Sequence, residues 1–170
     1  MNRMVFFRLV LQAFFLMALS AITGCSSSSH SEPSQYSLLF RANPQINDRA
    51  PLKVRVMLLK SDADFMSADF YSLQNNAPAL LGNNLLNINS EQFFLMPGQL
   101  NKKISGQSTS DARYIGILGE YQSLDGKKWR ISLPLPTPGS GSAYKFWQSS
   151  SDELKADIIA DVSGLRAVSE

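Results

Sequence analysis

The sequence predicts an all-β protein, an antiparallel β-sandwich with one small helical insertion. Three observations predict it. Runs of alternating apolar and polar residues recur along the chain, each bounded by Pro, Gly, Asn or Asp. One stretch alone, at about 61–82, carries its apolar residues at helical spacing. The segment 36–170 is of a size that buries roughly 68–70% of its unfolded surface, so it can fold as one domain without a staple.

Two segments of different character precede that domain. Residues 1–24 carry Arg3 and Arg8 as their only charges, followed by a run from Leu9 that is apolar except for Gln12. This is the n-region and h-region of a signal peptide. The uncharged run from Leu9 to Gly24 falls short of the roughly 20 residues a bilayer span requires, and it ends in small residues. Ile22-Thr23-Gly24-Cys25 resembles a bacterial lipobox, in which small residues admit the peptidase and the Cys thiol accepts a diacylglycerol. Cys25 is the only cysteine and the expected lipid attachment point. Two acyl chains anchor stably at about 0.8 kcal/mol per buried methylene. The same resemblance implies outer-membrane sorting, because Ser26 rather than Asp follows the Cys. Residues 25–35 then form a Ser-rich tether, too polar to offset chain entropy. Ten such residues reach about 17 Å on average. His30, the only histidine, belongs to this tether and so to no buried triad.

The domain opens with Tyr36 to Arg41, a strand with Tyr36, Leu38 and Phe40 on one face. A second strand, Lys53 to Lys60, turns Val54, Val56 and Leu58 inward and Lys53 and Arg55 outward. Between them, Ala42 to Pro51 holds two prolines with Asn and Asp. That connection is longer than an ordinary hairpin loop. Ser61 with Asp64 fits a capping box, and Met66, Phe70, Leu73 and Ala77 share a narrow helical arc with Phe65 at its edge. Gly82 or Asn83-Asn84 ends the insertion.

Extended segments follow at Leu85–Ile88 and Phe93–Met96, then a Pro97-Gly98 turn. Arg113–Tyr121 reads as a central strand, with Gly116 and Gly119 as points of close approach. Asp125-Gly126 turns it into Lys128–Leu133. After a Pro/Gly loop from Pro134 to Ser142 come strand candidates at Ala143–Trp147 and Lys155–Val162, and Ser163-Gly164 leads into a last short strand.

Charge and chemistry exclude several functions. The chain has 16 Lys+Arg against 14 Asp+Glu, and without Arg3 and Arg8 the two signs balance at fourteen each. That lacks the basic excess of a nucleic-acid binder. One Cys and one His are too few for a disulfide framework or a zinc site. Asp62, Asp64 and Asp69 lack the spacing of a calcium loop and suit helix capping instead. The sequence carries no nucleophile elbow, phosphate loop or metal cluster, so no catalytic residue, metal ligand or cofactor beyond the covalent lipid is expected. Glu91 and Glu120 are the one conceivable glycosidase pair, but both sit in strands as outward, solvated charges. A ligand-binding lipoprotein is the competing class. It would recognise a peptide, glycan or cell-wall fragment through Tyr144, Phe146 and Trp147 beside the Pro/Gly loop, although core or edge packing is the simpler account of these aromatics.

The order of motifs resembles one family. A lipobox, a strand, a loop opening Asn43-Pro44, then Pro51 to Lys60, Phe65, Ala68-Asp69-Phe70 and Leu73 are similar to the TssJ lipoproteins of bacterial type VI secretion systems. So are Met96-Pro97-Gly98 and the pairing of Tyr114–Tyr121 with Trp129-Arg130. Met57, where an aromatic is usual, and Gly119, where Ala is frequent, depart from the pattern as packing changes. The resemblance implies a transthyretin-like sandwich held at the periplasmic face of the outer membrane. It also implies a docking subunit that binds the periplasmic C-terminal region of the inner-membrane protein TssM within the trans-envelope complex. Partner contact maps onto Asn43, Pro44, Gln45, Ile46, Asn47, Asp48 and Arg49. Ile46, apolar among polar neighbours, is expected to anchor that contact, unless it folds back onto the domain. Asp48 and Arg49 are expected to form its polar rim.

Overall fold

The computed structural model describes residues 33–87, 90–136 and 153–168. The leader, Cys25, the tether up to residue 32 and the aromatics Tyr144, Phe146 and Trp147 lie outside the described residues.

The alternating runs form strands β1 (Gln35–Ala42), β2 (Leu52–Leu59), β3 (Glu91–Leu95), β4 (Lys102–Gln107), β5 (Tyr114–Glu120), β6 (Arg130–Pro134), β7 (Glu153–Asp161) and β8 (Gly164–Val168). They make two four-stranded sheets, ordered β4-β1-β7-β8 and β3-β2-β5-β6. The expected sandwich is therefore present. One pairing departs from the antiparallel expectation, because β1 and β7 run parallel from Gln35↔Glu153 to Ala42↔Ala160. Parallel neighbours cannot be joined by a short turn, and these two lie far apart in sequence.

Period-two patterning sets the main core. Tyr36, Leu38, Phe40 and Ala42 from β1 meet Val54, Val56 and Leu58 from β2, with Ile115 and Ile117 of β5 and Ile158 of β7. Ser34, just before β1, is tied to the domain by its own hydrogen bonds. The Ser34 N–H donates to Ser108 Oγ (2.9 Å), and its hydroxyl donates to the Pro136 carbonyl (2.7 Å).

Strand β2 is buried on both faces, which corrects the outward placement of Arg55. Its second face, with Met57 and Leu59, joins Leu118 under the helical insertion, against Phe65, Phe70, Leu73, Ala77 and Leu81. The insertion is two helices, α1 (Ala63–Ser67) and α2 (Phe70–Leu81), followed by a turn at Gly82–Asn84. The break at Ala68-Asp69 resets the helical phase, so Phe65 is fully buried whereas Met66 is 41% exposed. The cap also falls one helix later than expected. Asp69 accepts from the Ser72 N–H at 2.9 Å, while Asp64 holds Asn84 and Asp62 accepts from the Ser132 hydroxyl. Hydrogen bonding from Ser72 holds the Asp69 carboxyl below its ordinary range.

Two arginines fasten the insertion. Pro78 has no N–H, so the Gln74 carbonyl one turn earlier loses its helical donor, and the Arg55 guanidinium donates to it instead. Arg130 serves the end of α1, donating to the Phe65 carbonyl (2.9 Å) and to that of Ala68 while stacked 4.2 Å from the Trp129 ring centroid.

Other differences are local. Leu85 makes only a single bridge to Leu59, and Ile88 lies outside the described residues. Asn87 pairs with β2 through its side chain, accepting from the Leu58 N–H (2.7 Å) and donating to the Val56 carbonyl (3.2 Å). Gly164 has φ +116°, and a Cβ there would strike the Lys128 backbone, to which β8 is bridged.

Candidate functional site

The long connection after β1 is a tight structure held at both ends. At its start, the Ala42 N–H donates to the Gln99 carbonyl (2.7 Å) and the Asn43 N–H to that of Ala160 (2.9 Å). The Asn43 side chain accepts from the Gln45 N–H at 2.8 Å, and its carbonyl accepts from Ile46 at 3.0 Å. The Pro97-Gly98 turn packs beside it, with Gly98 in left-handed conformation next to Pro44.

Ile46 is the main correction. It is fully buried, part of the core between the sheets, so it does not serve as an exposed anchor. The physical reason is that Ile46 closes the end of the sandwich, where an apolar side chain gains more from the core than from water. Asn47 is buried as well, at 3% exposure. Its Nδ2 donates to the Pro51 carbonyl (3.0 Å), and its Oδ1 accepts from the Gln122 N–H (2.8 Å). Pro44, Gln45, Asp48 and Arg49 are exposed, and Asn43 is half-buried. Of the seven expected contact residues, the structure thus presents a surface of four with Asn43 at its margin, over a base of Ile46 and Asn47.

Sequence reading missed the surroundings of this loop. A groove of about 410 Å³ runs beside it, lined by Asn47, Lys53, Tyr71, Phe94, Glu120 and Gln122 among others. Tyr71 and Phe94 are 66% and 62% exposed, and Met96 and Leu100 extend the apolar surface around the Pro97-Gly98 turn. Exposure of these side chains follows from strand parity and helix phase fixed by tertiary contacts, which no local pattern encodes.

Glu120 forms the floor of the groove and is not a solvated charge. Its side chain is 9% exposed, with Oε1 2.6 Å from Arg55 Nε and 3.6 Å from Lys53 Nζ, and Oε2 accepts from Gln74 at 3.0 Å. Burial pushes its pKa up, but the hydrogen bonds from Gln74 and Arg55 and the charges of Arg55 and Lys53 outweigh it, so the carboxyl sits below the usual range. Glu91 stands opposite Val56 of the inward face, whereas Glu120 stands opposite outward-facing Lys53. The two carboxylates therefore occupy opposite faces of one sheet and cannot flank a single bond. Among the described residues no cluster of three or more His, Cys, Asp or Glu could hold a metal ion. At the far side of the loop, Tyr121 donates to the Asp161 carbonyl (3.2 Å), and burial pushes its phenol pKa upward.

Comparison with known proteins bears on this arrangement. A profile of the type VI secretion lipoprotein family (VasD, EvfM, TssJ) matches residues 34–161. The chain belongs to the TssJ family of type VI secretion lipoproteins. Lip of Serratia marcescens, described as a membrane-bound component of the type VI secretion system, is 61% identical over 79% of this chain and 97% of its own, with a TM-score of 0.70. TssJ1 of Pseudomonas aeruginosa, a type VI secretion lipoprotein, is 26% identical over 81% of this chain and 97% of its own, with a TM-score of 0.68. A chain in a structure described as a type VI membrane complex is 20% identical over 79% of this chain and 98% of its own, with a TM-score of 0.59, a likeness of fold. No curated protein sequence matches the chain at a significant level.

Proposed function

We propose that this TssJ-family lipoprotein is anchored by lipid on Cys25 to the periplasmic face of the outer membrane. There it docks the periplasmic C-terminal region of TssM, and with it the other subunits of the type VI membrane complex. The observation that carries the reading is the polarity of β1. Ser34, where the tether joins the domain, lies at one end of that strand, and the loop Asn43–Arg49 lies at the other. Eight strand residues separate the two by about 26 Å, so the loop lies at the opposite end of the strand from the point where the tether enters and is not crowded by it.

The mechanism is mechanical. The acyl chains hold one end and the two-sheet core resists unfolding. Asp48 and Arg49 then meet a partner rooted in the opposite membrane, their opposed charges fixing its orientation. The membership in a family of type VI secretion lipoproteins and the shared fold of a chain in a type VI membrane complex support this assignment.

Co-purification from solubilised envelopes of the producing cell tests the reading. The full-length protein is expected to retain the periplasmic C-terminal region of TssM. Retention only on a peptidoglycan or glycan matrix would replace docking with the ligand-binding alternative.

A further inference from the structure

Asn47, Asp48 and Arg49 all have left-handed backbones, with φ of 50°, 57° and 66°, and none is glycine. Isolated left-handed residues are tolerated by Asn and Asp, but three in succession, ending in Arg, are unfavourable unless the surroundings impose them. The surroundings here are specific. The Asn47 amide is buried and uses both ends, one on the Pro51 carbonyl and one on the Gln122 N–H. Its carbonyl accepts from the Ala50 N–H at 3.0 Å, and Ile46 before it is locked in the core. The two exposed charges are therefore delivered by a turn whose shape is set from beneath.

We propose that Asn47 is a positioning residue for docking: it does not touch the partner but holds Asp48 and Arg49 in a left-handed turn that is complete before the partner arrives. This deepens the docking reading and rests on it. A preformed turn has nothing left to order on binding, so the binding-competent fraction of the free protein is near one. Loss of the two side-chain hydrogen bonds lets the turn relax toward ordinary backbone conformations. Apparent affinity then falls by the competent fraction. If that fraction drops to about one tenth, affinity falls about tenfold, and the loss appears in the association rate because the bound contacts are unchanged.

Three variants of the full-length protein separate the possibilities, with the periplasmic C-terminal region of TssM as binding probe and both rate constants measured. Asn47→Gly keeps left-handed freedom but removes both hydrogen bonds, and slower association with near-normal dissociation is expected. Asn47→Asp keeps an acceptor for the Gln122 N–H and tolerance of the left-handed region, but it turns a buried carboxylate oxygen toward the Pro51 carbonyl in place of a donor, so it should not restore the association rate. Asp48→Ala combined with Arg49→Ala removes contacts and should speed dissociation. Normal association by Asn47→Gly, with weakened binding by the Asp48/Arg49 variant, overturns the positioning role and leaves docking through the loop intact. Unaltered binding by the Asp48/Arg49 variant overturns docking through the loop and this inference with it. Hydrogen exchange of the Ala50 amide in the free protein gives a readout independent of any partner. It should quicken in Asn47→Gly, and an unchanged rate overturns the inference.

Discussion

Ile46→Ala separates a core residue from an interface anchor more cleanly than any other substitution in the loop. Ile46 is fully buried between the two sheets, and its neighbours on either side are held by hydrogen bonds, so the end of the sandwich has little freedom to collapse into the space left behind. Removal of buried aliphatic groups with limited relaxation costs about 2–5 kcal/mol. For a domain of this size that corresponds to a melting-temperature loss of roughly 7–18 °C. Ile46→Val deletes a single methylene and should cost about 0.5–1.5 kcal/mol. Thermal unfolding followed by circular dichroism, repeated in urea to check that the midpoint falls without a change in slope, measures both. An exposed side chain would behave differently, since surface substitutions stay within about ±0.5 kcal/mol. A melting temperature unchanged in Ile46→Ala, together with lost partner binding, would return Ile46 to the interface and refute its place in the core.

Further expectations concern the insertion, the last turn and the anchor. Arg55→Ala removes one partner of a buried ion pair and the donor to the carbonyl freed by Pro78, so it should destabilise by about 3–5 kcal/mol in chemical denaturation. Because the folded Glu120 pKa lies below the ordinary value of 4.5, its contribution to stability is complete above that value and is lost as pH falls through the depressed one. Glu120→Gln should accordingly flatten the acid limb of the stability profile, and an unchanged limb would contradict the ion pair. Gly164→Ala should cost more than about 1 kcal/mol, because φ is positive and the new Cβ meets Lys128 backbone. Cys25→Ser should release the protein from membranes with its melting temperature unchanged, and persistence in a salt-washed membrane pellet would count against the lipid anchor.

Legibility of the fold in the sequence followed the locality of each interaction. Strands β1 and β7 could be read because alternation over eight or so residues reports a buried face directly, whereas β2 and β5, buried on both faces, could be read as apolar runs bounded by turn residues. Strand β4, Lys-Lys-Ile-Ser-Gly-Gln, was not foreseen, since an edge strand with Ile104 as its one buried side chain carries almost no alternation. Two helices read as one because Phe65 and Phe70 flank a break whose only signal is Asp69, an N-cap that resembles any other aspartate. The Asn87 side chain stands in for a strand backbone, which periodicity cannot express.

The candidate site shows the same limit. Its place, between the first two strands, was visible in the length and Pro/Asn content of the connection. Its inner and outer sides were not. Ile46 and Asn47 point into contacts with the core and with Gln122, a residue 75 positions away, and only those distant partners decide which of the loop's side chains remain for a second protein.

Hydrogen exchange of the full-length protein, measured alone and with the periplasmic C-terminal region of TssM, tests docking through this loop most directly. Docking predicts that slowed exchange concentrates at residues 43–50. Protection confined to other surfaces, with 43–50 exchanging as in the free protein, would contradict it.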